Sequence, residues 1–328
     1  MFIIRNRTLF LWLAVVIVIT ASVIVGVFGL KPGIDFTGGS LIEISYTSVP
    51  EKAVVESALA PLGLGTPRIR RSDTNTTNGY LITVRDLSLE EQVTVETALT
   101  SLGEAGTIIR YTSIGPVIGA ELKDKAVWAI GAVLFIIIIY VAFAFKGVGK
   151  PISSWVYGFM TVAVLGHDIL VPVAAMSLLG YFMGAEVDIL FITALLTILG
   201  YSVNDTIVIF DRVREKLILN RTEHKTKIIE LGGIERTEVE YTLTKPFDEL
   251  VGRAVSETMT RSINTSLTVL LALLVLYFLG SAVTETFVLV LIVGVFAGAF
   301  SSIFIASPLL VVYALWQAKR QPITPPRK

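Results

Sequence analysis

The chain reads as an α-helical membrane protein: six transmembrane helices and one small α+β domain of ferredoxin-like topology outside the bilayer. Three observations predict this class. Of its 328 residues, 53% are hydrophobic and only 16% charged, against roughly 25% charged in soluble domains. Mean hydropathy is +0.74. The apolar residues gather into six runs long enough for a hydrocarbon core of ~30 Å, and the polar residues into two segments, after the first run and after the fourth. Composition also excludes several functions. Lys plus Arg and Asp plus Glu both number 27, so net charge is zero and nothing points to nucleic acid as a partner. Cysteine is absent, which removes disulfides, thiol catalysis and cysteine-bound metals. Two histidines do not suggest a dedicated zinc site, and no motif calls for a cofactor.

Residues 1–8 form a short terminus with Arg5 and Arg7. Residues 9–30 are the first span; a cleaved signal peptide is the rival reading, but its apolar core runs only about 7–15 residues. Residues 31–124 are polar and read as a folded domain. Residues 41–47 alternate as a strand, 51–62 have helical spacing, and 68–71 form a short strand. Asn78-Gly79 signals a turn before a strand at 80–84. Ser88 with Glu91 three residues on is a capping box opening a helix over 88–102, and 107–113 is the last strand. The order β-α-β-β-α-β is that of a ferredoxin-like sandwich. The second span is 126–145, followed by a tight turn between Lys146 and Lys150. The third, 152–179, is interrupted at its middle by His167-Asp168 and Pro172. The fourth is 187–210. The polar segment 211–261 carries ten Lys and Arg, a β-hairpin (225–231 with 237–244, turning at Gly232-Gly233), and an amphipathic helix from Pro246. Residues 263–283 and 286–316 are the fifth and sixth spans. The sixth is rich in small residues that permit close helix packing. Residues 317–328 are a Pro-rich, basic tail.

Six spans put both termini on one side, together with the Lys146–Lys150 turn and the 211–261 segment. All carry Lys or Arg, so this side is expected to be cytoplasmic, and the 31–124 domain extracytoplasmic.

Candidate functional residues lie inside the spans. Between Ile189 and Phe210 the only formal charge is Asp205. A carboxylate near the centre of a membrane helix costs roughly 2.5–3.5 kcal/mol on insertion scales and often marks an ion or proton path. The alternative is a structural Asp capped by a neighbouring helix. Tyr201, Ser202 and Asn204 supply hydrogen-bonding groups within one turn. In the third span, His167 and Asp168 either share a proton or hydrogen-bond between helices. Arg261, at the edge of the fifth span, is either a snorkelling anchor or a partner that competes with a proton for Asp205. After the first span comes Gly33-Ile34-Asp35-Phe36-Thr37-Gly38-Gly39. These glycines permit unusual backbone angles and close approach, but no preceding strand or following lysine makes it a phosphate loop.

Together these segments carry a family resemblance: GIDFTGGSLIEI (33–44), IGPVIGAEL (114–122), LGHDIL (165–170), GYSVNDTIVIFDRVRE (200–215) and TRSINTSLT (260–268), in family order. The chain resembles the SecF proteins of the SecD/SecF family, in the RND superfamily. The resemblance implies a six-span RND-type half that pairs with SecD. It also implies a function: using the proton (or sodium) motive force to promote preprotein translocation through the SecYEG translocon, with SecA and YajC as further partners. It implies Asp205 and Arg261 as proton-path residues, joined in this reading by Asp168, His167 and Asn204. Asp35, Phe36, Gly38 and Gly39 become a family motif at the base of the outer domain. Membrane lipids are the surroundings. Two other classes compete, an RND-type small-molecule exporter and a non-conducting translocon scaffold. No hydrolase constellation suggests an enzyme. The resemblance does not cover 225–245, which reads as an insertion.

Overall fold

The structure is a computed structural model that describes residues 2–73, 78–146, 152–229 and 235–320. Six of its helical segments are long and apolar enough to cross a membrane, and the chain is a multi-pass membrane protein. A short helix α1 (Phe2–Arg5) precedes the first span, α2 (Arg7–Phe28). A single helical turn, α3 (Ile34–Thr37), leads into the outer domain. That domain comprises β1 (Gly39–Ser45), α4 (Lys52–Leu59), β2 (Arg68–Asp73), β3 (Asn78–Val84), α5 (Leu89–Thr100) and β4 (Thr107–Ile114).

The four strands form one antiparallel sheet in the order β2-β3-β1-β4. Strand alternation sends Ile42, Ile44 and Ile82 to one face, where they bury against Val55 and Leu59 of α4 and Val95 and Leu99 of α5. Helix α5 opens on the capping box read from the sequence. Ser88 Oγ accepts from Glu91 N at 3.3 Å, and Ser88 N donates to Glu91 Oε2 at 2.9 Å. Arg85 binds the same carboxylate at 2.5 Å and, with the cap, holds it down at about 2.

Several boundaries move. Asn78 and Gly79, read as a turn, are the first residues of β3, paired with Asp73 and Ser72. The second span begins well before residue 126, as α6 (Pro116–Ala144), because proline at the first helical position loses no hydrogen bond and presets φ. The outer domain therefore ends at Ile114 rather than 124. The third span, α7 (Ser154–Met183), runs unbroken through His167, Asp168 and Pro172. The fourth, α8 (Ile189–Leu219), continues nine residues past 210. Strands β5 (Arg221–Ile229) and β6 (Glu235–Leu243) pair antiparallel as the expected hairpin. The amphipathic helix and the fifth span are one element, α9 (Phe247–Leu279). The sixth span divides into α10 (Ala282–Ser301), a π-helical turn (Ser302–Ala306) and α11 (Ser307–Arg320). The turns at 147–150 and Gly232-Gly233, and the tail beyond 320, lie outside the described residues.

The helical bundle has two cores. At one end Phe145 stacks on Tyr157 (centroids 5.0 Å), which meets Phe210 edge-on at 5.3 Å. At the end nearer the outer domain, Met176, Phe191, Leu195, Ile198 and Val290 pack together. Between them α8 and α10 approach closely. A Cβ added at Gly294 would lie 2.1 Å from Ile198 Cδ1, and one at Gly298 3.0 Å from Ser202 Cβ. Both glycines make room for the residues of α8 that follow.

Candidate functional site

One face of α8 collects Ser202, Asp205, Thr206, Ile209 and Phe210, all buried. Their spacing of three and four residues places them on one stripe. Asp205 is 4% exposed, and its Oδ2 has no hydrogen-bond partner among the described residues. Ser262 of α9 is fully buried and faces the Asp205 carboxylate closely enough to act on it, although its Oγ makes no hydrogen bond of full geometry among the described residues. Just above, Tyr201 donates its hydroxyl to Ser266 Oγ at 3.1 Å. Below, the continuation of α8 is held to α9 by charge. Glu257 takes Arg212 and, at 2.7 Å, Lys216, while Arg212 also reaches Glu215. These pairs keep the polar end of α8 helical.

Asp168 of α7 is fully buried. It accepts a hydrogen bond from Ser202 Oγ, and His167 Nδ1 lies 3.0 Å from its other oxygen. Ser202 stands one helical turn from Asp205, so the stripe of α8 that carries one intramembrane carboxylate also contacts the other, across on α7. Thr206, on the same stripe, is 3.1 Å from Ser302 at the π turn. Such turns often sit at functional sites. The sequence singled out both Ser202 and Asp168 but not their contact, and it missed the Thr206–Ser302 contact. The polar residues one turn from Asp205, namely Tyr201 and Ser202, were the available signal.

Two expected members do not join this cluster. Asn204 is exposed, because one residue along a helix is a rotation of about 100° away from the stripe of Asp205. Arg261 is also exposed and makes no ion pair with Asp205 in this structure, although its charge lies near enough to act on that carboxylate.

Asp35, Phe36, Gly38 and Gly39 stand at the other end of α8. Asp35 Oδ2 accepts from Ile189 N at 2.7 Å, and Phe36 packs on the core around Phe191. Gly38 (φ +75°) and Gly39 (φ +134°) are where β1 crosses the start of α6 and the end of β3; added Cβ atoms would meet Pro116 at 2.8 Å and Val84 O at 2.6 Å. A cavity of about 690 Å³ opens beside them, lined by Lys31, Asp35, Arg68, Arg70, Glu186 and Asp188 among others. Burial, and then the charge of Asp35, push the Asp188 carboxyl up to about 6, against a hydrogen bond from Phe191 N and the charge of Arg70. A carboxyl that holds its proton more tightly in the folded chain adds stability as pH falls through about 6, levelling off below its ordinary 3.8; above 6 the ionised form opposes folding. Asp188→Asn keeps a capping side chain, so it is expected to raise the melting temperature at about pH 8. The gain should shrink to nothing near pH 4. A thermal-melt series over that range checks it, and a gain independent of pH would contradict it.

Comparison with known proteins decides the family. Residues 94–316 match the model described as protein export membrane protein SecD/SecF, C-terminal, and residues 23–48 match the SecD/SecF GG motif. The chain belongs to the SecD/SecF family. It is 34% identical to the protein translocase subunit SecF of Thermobaculum terrenum over 94% of this chain and 92% of that one. It is 37% identical to the protein translocase subunit SecDF of Thermus thermophilus over 66% of its length and 24% of the relative's. A crystal structure of SecDF, a translocon-associated membrane protein, from the same organism superposes with a TM-score of 0.76 at 31% identity. That match covers 94% of this chain and 38% of the SecDF chain. The glycine pair of the GG motif is Gly38-Gly39, at the foot of β1.

Proposed function

We propose that this chain is the SecF-type subunit of a SecD–SecF complex, and that it uses the proton (or sodium) motive force to promote preprotein movement through SecYEG. The observation that carries the reading is Asp205: a buried carboxylate with an unpartnered oxygen, inside a membrane helix, in a chain of this family. An acid held there, facing the Ser262 hydroxyl and within reach of the Arg261 charge but not ion-paired with it, is suited to cycle between charged and neutral forms. Asp168, His167 and Ser202 extend the polar path by one turn. Arg261 is the group that competes with the proton when the helices shift, and Asn204 faces the partner. The fused SecDF relatives support SecD as that partner; SecA and YajC are further candidates at the translocon. The topology β2-β3-β1-β4 supports a ferredoxin-like outer domain. The basic short segments support a cell-membrane location with cytoplasmic termini. In this reading the chain catalyses no chemical reaction.

One charge crossing about 150 mV releases roughly 3.5 kcal/mol, enough to bias a two-state domain equilibrium several-hundredfold. The test is late movement of a partly translocated preprotein in inverted vesicles carrying this chain and its SecD, after ATP is removed. Movement that stops when a protonophore collapses the gradient supports proton coupling. Movement that follows an imposed sodium gradient alone assigns sodium. Movement indifferent to both gradients overturns the reading.

A further inference from the structure

A helix begins with backbone N–H groups that find no partner within it. At the start of α8 two carboxylates supply partners. Asp188 Oδ1 accepts from Phe191 N at 2.7 Å, an ordinary local cap. The second comes from 154 residues away, where Asp35 Oδ2 accepts from Ile189 N at 2.7 Å. Asp35 lies on the single turn α3, which leads through Gly38 and Gly39 into β1, a central strand of the outer sheet. Other contacts reinforce the same junction. Gly33 N donates to Val187 O at 2.8 Å, and Val187 N to Lys31 O at 2.7 Å. A Cβ at Gly33 would lie 3.0 Å from Val187 O, so the two backbones run close together. From β2, Arg68 pairs with Glu186 at 2.8 Å and also reaches Pro32 O at 3.3 Å.

The outer domain is attached to the bundle covalently at both its ends: α2 leads through α3 into β1, and β4 passes through Gly115 into α6, where Gly119 lies against Gly38. A further attachment is this non-covalent junction with residues 186–189, at the start of the helix that carries Asp205. A body pivoted on α6 and tied to α8 tilts whenever α8 moves relative to α6.

We infer that Asp35 is a positioning residue that ties the outer domain to the first turn of α8, so that displacement of α8 is transmitted to β1. The inference rests on the proton-coupled reading above. A helix is stiff along its axis, and the buried face of α8 is continuous from Phe191 to Asp205. A shift at the carboxylate therefore reaches the tethered end. Without the Asp35 contact, the remaining links reach residues 186 and 187 ahead of α8, and the first turn of the helix itself is no longer tied to α3.

The test uses vesicles holding this chain with its SecD, in which gradient-driven proton flux and preprotein movement are both measured. Asp35→Ala is expected to keep flux within about twofold of the parent while export falls about tenfold or more. Asp35→Asn retains an accepting oxygen and should keep at least half of export. The chain has no cysteine, and Asp35 Oδ2 lies 2.7 Å from Ile189 N, so a cysteine pair placed at the two positions can be driven to a disulfide with no competing thiol. Asp35→Cys with Ile189→Cys should therefore export when oxidised and lose export on reduction. Parent-level export by Asp35→Ala overturns the tether. So does an oxidised, crosslinked double variant that conducts protons but does not export. If the unaltered chain shows neither gradient-driven flux nor export, the proposed function itself has failed.

Discussion

Asp205→Asn is expected to insert, fold and assemble as the parent does, yet to lose gradient-driven export to background. Asparagine has nearly the shape of aspartate and cannot gain or lose a proton at physiological pH. No ion pair is broken by the change, because Arg261 does not pair with Asp205 in this structure. The site is 4% exposed, and removing a charge from a helix interior relieves a cost of roughly 2.5–3.5 kcal/mol. Stability should therefore hold or rise while coupling disappears. The measurement is preprotein movement in energised vesicles, normalised to the amount of assembled complex. Export at the parental rate would remove Asp205 from the mechanism and favour the scaffold class.

Gly39→Ala should be the most damaging conservative change in the outer domain. Gly39 has φ of +134° and pairs with Ile114 where β1 begins. Residues with a Cβ are strained by about 1–3 kcal/mol in such regions. The added carbon would also meet Val84 O at 2.6 Å and Ile34 Cγ2 at 3.1 Å. The first is backbone of a paired strand and cannot step aside. We expect a loss of more than about 3 kcal/mol, read as protease sensitivity of residues 39–114 with the membrane helices intact. Gly26→Ala is the control: nothing lies within 4 Å of a Cβ there, and the substitution should leave the protease pattern unchanged. An outer domain as resistant as the parent in Gly39→Ala would show that β1 can relax at this point.

Much of this architecture is legible in local sequence. In lipid every backbone group must be satisfied within its own helix, so each span announces itself as an apolar run. Strand alternation marks the outer sheet in the same local way, and the Ser88–Glu91 box marks the start of α5. The boundaries were less legible, because polar residues that look like loop can remain helical when something pairs with them. Arg212 and Lys216 continue α8 because Glu257 waits on α9. Pro172 does not break α7, which stays packed on its neighbours.

The site divides along the same line. A single charge in an apolar run is visible without a structure, so Asp205 and Asp168 stand out by their cost in lipid, and the motifs around them identify the family. Which groups meet is not a local property. Ser202 reaches an acid 34 residues away, Asp35 caps a helix that begins 154 residues later, and Asn204 turns outward although its neighbour is buried. Each depends on how one helix is rotated and packed against another. Hydrophobic periodicity determines that a face is buried, and the sequence alone carries that; the tertiary structure decided what each buried polar group faces, because that contact is set by the packing of distant segments.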